Sequence, residues 1–221
     1  MIPAPSSTRV PASARLRQHA IIAVLRASAA SDYDPVVDVL AENGVRSIEL
    51  TLSTPGTFEH LPALVKRLGN DVEVGIGTIV TVGQAEFALA AGAHYLVTPI
   101  VNLDVIALAV REGIPVFPGG LTPTELFGAW AAGATAVKIF PAETVGPQYG
   151  SHLRGPFPDL EFVPSGGIGL DDVPRWLNAG ALAVSLGGPL VGDALKGGSL
   201  AALAQRAQRV TGLAADALAQ R

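Results

Sequence analysis

Lys138 stands in "AVKIFPAE", residues 136–143, within a run that otherwise reads as a buried strand, and the chain has only three lysines. Burying an ammonium costs on the order of several kcal/mol unless it is paired or loses its proton. Two readings follow. Lys138 snorkels into solvent from a strand end, or it is a neutral amine with a depressed pKa, able to attack a carbonyl. Glu49 lies in "SIELTLS". Alternation puts Ile48, Leu50 and Leu52 on one face and leaves Ser47, Glu49, Thr51 and Ser53 on the other. Glu49 is then a structural partner for an arginine such as Arg26, which ends "AVLR", or part of a functional site. Thr78 ends "GIGT", whose glycines let backbone approach a ligand. Ser165, Gly166 and Gly167 in "VPSGGIGLDD", and Gly187 and Gly188 in "VSLGGPLV", read as phosphate-holding backbone amides or as tight turns, two readings that are compatible. His19, His60, His94 and His152 have no metal-ligand spacing. No GxSxG elbow supports serine hydrolysis, and the absence of cysteine removes thiolate chemistry and disulfides.

The elements that carry these residues recur. An Ala- or Leu-rich helical stretch, a glycine and a short β-branched run are repeated through Gly44, Gly69, Gly92, Gly113, Gly133, Gly155 and Gly180. Each glycine fits a left-handed helix end, and each following run fits a buried parallel strand. With "IIAVLR" at 21–26 in front, eight strands alternate with helices at roughly 20 to 25 residues per unit. That pattern predicts an α/β chain folded as a single-domain (β/α)8 TIM barrel over residues 16–221. An open doubly wound sheet is the alternative, but no G-x-G-x-x-G opens a helix after the first strand. The last helix, about 199 to 218, should close the outer layer with Leu200, Leu203, Ala207, Val210 and Leu213. Ala136, Lys138 and Phe140 share one parity, and if that face is the barrel interior, Lys138 points into the cavity of Glu49. Lys138, Glu49, Arg26 and Thr78, from four strands, can converge at the C-terminal mouth, where barrels place their chemistry.

Composition sets the outer limits. Of 221 residues, 49% are apolar and 15% charged, with a net charge of −4 and pI near 5.5. The acidic balance argues against a nucleic-acid partner. No apolar run approaches the ~20 residues that span a bilayer, so no membrane role is expected. Residues 1–15, Pro-, Ser- and Ala-rich, read as a flexible leader without a secretion signal, and the expected location is cytoplasmic.

The segments "AVLR", "IELTLSTP", "GIGTIVT", "YLVTP", "VFPGGLTPTE", "VKIFPAETVGPQY", "LRGPFPDLEFVPSGGI" and "AVSLGGPLV", in order from residue 21 to about 195, together resemble the 2-keto-3-deoxy-6-phosphogluconate (KDPG)/4-hydroxy-2-oxoglutarate aldolase family. The resemblance implies a class I aldolase without metal or other cofactor, acting on a small keto acid, and a homotrimer. It assigns the Schiff base to Lys138, proton transfer to Glu49 and the pyruvyl carboxylate to Arg26 and Thr78. Pro99 and Phe140 would line the pocket, and the Ser165-Gly166-Gly167 turn would hold phosphate. The expected reaction is reversible cleavage of a 6-phosphorylated 2-keto-3-deoxy sugar acid to pyruvate and an aldehyde such as glyceraldehyde 3-phosphate. Alternatives are an aldolase for 4-hydroxy-2-oxoglutarate or an unphosphorylated 2-keto acid, a barrel isomerase or synthase with Glu49 as base, and a non-catalytic sugar-acid-binding barrel. The chain departs from the family pattern twice. Ser53 stands where some members have arginine, and Gly187-Gly188-Pro189 stands where Gly-Ser is usual, which removes a hydroxyl and an N–H.

Overall fold

A computed structural model describes residues 9–221. The first helix, α1 (Ala14–His19), is capped by the Ser13 hydroxyl. Eight strands and eight helices then alternate: β1 (Ile21–Leu25), α2 (Tyr33–Glu42), β2 (Ser47–Thr51), α3 (Thr57–Leu68), β3 (Glu73–Gly77), α4 (Val82–Ala90), β4 (Leu96–Thr98), α5 (Leu103–Arg111), β5 (Val116–Gly120), α6 (Pro123–Ala131), β6 (Val137–Ile139), α7 (Gln148–Arg154), β7 (Phe162–Pro164), α8 (Val173–Asn178), β8 (Val184–Leu186) and the short α9 (Gly188–Val191). A long helix, α10 (Leu200–Ala219), follows.

All the strands are parallel, in the order β7-β6-β5-β4-β3-β2-β1-β8. The seam between β7 and β8 is thin but present. The Leu182 amide donates to the Phe162 carbonyl at 2.8 Å, and Ser165 pairs with Ser185 in a single parallel bridge. This closes the ring and sets the open-sheet alternative aside. Short strands suit such a barrel because each is buried on both faces, against helices outside and neighbouring strands' side chains inside. Helix starts are set by side chains that satisfy unpaired N–H groups. Thr81 with Gln84 and Thr122 with Glu125 make reciprocal caps on α4 and α6, and Asn102 caps α5. Among the described residues no helix is long and apolar enough to cross a membrane.

Two local expectations change. Of the seven junction glycines, six take positive φ, but Gly155 is right-handed, at φ −57°. There the chain leaves α7 through Pro156 and Pro158 in successive turns, so no left-handed exit is required. On α10 the buried stripe is Leu203, Ala207, Val210, Ala214 and Ala217, while Leu200 is exposed and Leu213 half-buried. The stripe alternates i+4 and i+3 steps, and its small alanines let α10 lie close to α8 and α2. Of the expected leader, residues 1–8 lie outside the described residues, α1 starts at Ala14, and the Arg9 guanidinium lies 3.3 Å from the centroid of the Trp130 ring.

Candidate active site

The residues with chemical potential meet at the C-terminal ends of the strands. Lys138 from β6 is placed by its register with Gly119 of β5 and Val163 of β7. Its Nζ lies 3.9 Å from Oε1 of Glu49, and the two side chains are 10% and 2% exposed. That burial removes the snorkelling reading. Glu49 is faced by Lys138, and among the described residues neither it nor Arg26 has any other ion-pair partner. The amine is also 5.2 Å from the centroid of the Phe140 ring, which forms part of the cavity wall and is itself partly exposed.

Room for this pair comes from β3. A Cβ on Gly77 would fall 1.9 Å from Glu49 Oε1, and one on Gly75 would fall 2.2 Å from the Tyr95 ring. The two glycines therefore make space for side chains of β2 and β4, rather than for a ligand against the backbone. The next residue, Thr78, has φ of +65°. A β-branched residue there is strained, and such strain persists where the surrounding structure over-determines it, often in binding sites.

These groups share one cavity of 240 Å³. It is lined by Arg26, Glu49, Thr78, Pro99, Lys138 and Phe140, by Ser165, Gly166 and Gly167, and by Gly187 and Gly188. All eleven candidates from the sequence are thus brought together. The volume is below the ~300 Å³ at which drug-sized pockets begin, as suits a polar molecule of a few carbons. Exposed Arg26 supplies an unpaired cation at the rim. On the far side, Gly166 and Gly167 have φ of +92° and +74°. Among the described residues no backbone carbonyl accepts from their amides.

Val24, Ile168 and Ser185, which sequence reasoning missed, also line the cavity, as do Thr51, placed on the polar face of Glu49 but given no role, and Pro189 of the Gly187-Gly188 loop. Ser185 is buried, and its hydroxyl accepts from that of Ser165 at 3.3 Å. It has the parity of Gly187 in "AVSLGG", a signal available from strand alternation.

A sequence profile of the aldolase family described as "KDPG and KHG aldolase" matches residues 12–205. The chain belongs to this family. It is 33% identical over 171 residues to the 2-dehydro-3-deoxy-6-phosphogalactonate aldolase of Escherichia coli K12, covering 77% of this chain and 83% of that one. Among solved aldolases, a native KDPGal structure superposes with a TM-score of 0.84 at 31% identity, covering 90% of this chain and 96% of the other. The KDPG aldolase of Legionella pneumophila, with pyruvate captured at low pH as a covalent carbinolamine intermediate, gives a TM-score of 0.77 at 26% identity, covering 92% and 96%. The fold and the enzyme class, an aldehyde-lyase of this family's type, agree with the reading of the sequence.

Proposed function

We propose that this protein is a class I aldolase that reversibly cleaves a 2-keto-3-deoxy-6-phospho sugar acid to pyruvate and an aldehyde such as glyceraldehyde 3-phosphate. The observation that carries the proposal is the buried Lys138 amine, 3.9 Å from the Glu49 carboxylate in a small cavity with a cationic rim. Nζ of Lys138 adds to the C2 ketone, and loss of water from the carbinolamine gives an iminium. Glu49 moves protons during that dehydration and then takes the C4 hydroxyl proton. The C3–C4 bond breaks, its electron pair enters the iminium to give an enamine, and the aldehyde leaves. Reprotonation at C3 and hydrolysis release pyruvate and restore the lysine. One carboxyl serves as acid and base because its protonation alternates between steps. The iminium is the electron sink, so the scheme calls on no metal or other cofactor.

Arg26 and Thr78 would hold the C1 carboxylate, and Pro99 and Phe140 the flat pyruvyl body. Ser165 with the amides of Gly166 and Gly167, and with Gly187 and Gly188, would face the phosphate. The missing hydroxyl at Gly188 supports a second substrate class, unphosphorylated 2-keto acids such as 4-hydroxy-2-oxoglutarate. The active species would be a cytoplasmic homotrimer. What supports the trimer is an apolar surface near the mouth formed by exposed Val80, Phe87, Ile100 and Leu103 on neighbouring α4, α5 and their loops. The decisive experiment is reduction with borohydride in the presence of pyruvate. A covalent adduct at Lys138 is expected, and its absence would remove the Schiff-base reading and favour the isomerase or binding-protein alternatives.

A further inference from the structure

Beneath the Lys138–Glu49 pair lies a second set of polar side chains that the proposed reaction does not use. Glu73, buried at the start of β3, accepts a hydrogen bond from the Ser47 hydroxyl. Tyr95, just before β4, is 2% exposed, and its hydroxyl has no hydrogen-bond partner among the described residues. Strand register places that hydroxyl. Leu96 lies opposite Ile76, which sets Tyr95 beside Gly75, and Gly75 is in turn the register partner of Glu49. A Cβ on Gly75 would fall 2.5 Å from Cζ of Tyr95. The ring therefore crosses β3 where β3 lacks a side chain, and its hydroxyl end is directed toward β2. Ser47 and Glu73 form the register pair one layer below Glu49 and Gly75.

The phenol is thus near two carboxylates, one above and one below. Burial, followed by the charges of Glu73 and Glu49, pushes its pKa well above the ordinary tyrosine value. The hydroxyl stays protonated and remains a donor. Its ring is held edge-on to Phe117, with centroids 5.6 Å apart, so little freedom is left in its direction.

We propose that Tyr95 is a positioning residue for Glu49: its buried hydroxyl, unpaired among the described residues at rest, donates to the Glu49 carboxylate from below when that carboxylate leaves Lys138 during turnover, with Glu73, bonded to Ser47, as the competing acceptor on the other side. This inference rests on the aldolase reading of Glu49. The titratable and charged groups facing Glu49 are Lys138 from β6, Tyr95 from the foot of β4, Glu73 from β3 and Arg26 at the rim beyond β1. Loss of the Tyr95 donor makes an ionised Glu49 harder to maintain, so the acid limb of kcat moves to higher pH. Replacing Glu73 by glutamine removes a like charge and moves that limb to lower pH.

The test is a mutant cycle. Tyr95→Phe keeps the ring and should retain borohydride trapping with pyruvate and a KM within about twofold, while kcat falls roughly tenfold, the weight of a hydrogen bond to a charged group. The same substitution in a Glu49→Gln background should cost nothing further, because Tyr95 acts through that carboxylate. An equal fold-loss in both backgrounds would overturn the proposal. So would acid limbs that stay in place in both Tyr95→Phe and Glu73→Gln, a readout that also serves if one variant folds poorly. Wild-type turnover by Glu49→Gln alone would overturn the underlying role of Glu49, and the inference with it, before Tyr95 is changed.

Discussion

Keeping the charge at residue 138 while removing the amine isolates what the lysine does. Lys138→Arg places a cation on the side of the cavity that faces Glu49, but a guanidinium does not deprotonate in a protein and cannot form the imine. We expect no borohydride-trapped pyruvate on the peptide containing "VKIFPAE" by mass spectrometry, and no appreciable turnover. Substantial activity in this variant would be incompatible with the proposed nucleophile. At Glu49 the isosteric change to glutamine keeps the cavity's shape and removes proton transfer. A fall in kcat on the order of 10²–10⁴ is expected, the usual contribution of a positioned acid–base. Slow imine formation should still be trappable, separating the two residues' roles. A glutamine variant with wild-type kcat would return Glu49 to a structural role.

Strands and loops decide whether those residues can meet. The interior of β3 is open at Gly75 and Gly77 because β4 and β2 fill it from either side. Gly77→Ala should push the Glu49 carboxylate off its position, since the added methyl would also fall 2.7 Å from Glu49 Cγ. Overpacking of this kind costs roughly 1–3 kcal/mol. We expect a folded protein with a lowered melting temperature and at least about a tenfold loss in kcat, a modest displacement being enough for that. Unchanged kinetics would mean that the carboxylate has slack the packing does not suggest. At the opposite side of the mouth, a Cβ on Gly188 would meet nothing within 4 Å and its φ is not positive, so a serine fits there without strain. Gly188→Ser should raise the ratio of kcat/KM for KDPG over 4-hydroxy-2-oxoglutarate by about ten- to a hundredfold, the weight of a hydrogen bond to a charged group. A wild type already strongly selective for phosphate, and unmoved by the serine, would assign phosphate recognition to backbone amides alone.

For the whole molecule, the proposed homotrimer can be tested at the exposed apolar side chains of α4 and α5. Phe87 is 68% exposed and Leu103 58%, unusual for side chains of their size on neighbouring helices of one face. Large apolar side chains left exposed on neighbouring helices are candidates for an interaction site. Leu103→Asp should split a homotrimer into monomers in light scattering, with secondary structure retained. A wild type that is monomeric at micromolar concentration would leave this surface for another role. The barrel's thinnest joint is elsewhere, at β7 and β8, where Ser165 and Ser185 close the ring beside the candidate phosphate loop.

Much of this architecture was legible in the chain because it rests on local periodicity. Helix, glycine and β-branched run repeat at the pitch of a βα unit, and alternation set Glu49 on a polar face and put Lys138 on one parity with Ala136 and Phe140, with Arg26 and Thr78 at strand ends. Parity is a property of one strand, so one strand's sequence carries it. What crosses between strands was not legible. The space left by Gly75 and Gly77 has meaning only once register sets Tyr95 and Glu49 against them. Ser185 joins the site only through the seam with Ser165. Likewise, Gly155 exits right-handed and the stripe of α10 shifts to Ala214 because neighbouring turns and helices, rather than the local pattern, determine what packs there. Register and closure are fixed by the summed packing of eight strands. A single strand's residues encode which face is inside, and only the closed ring decides which inward side chains touch.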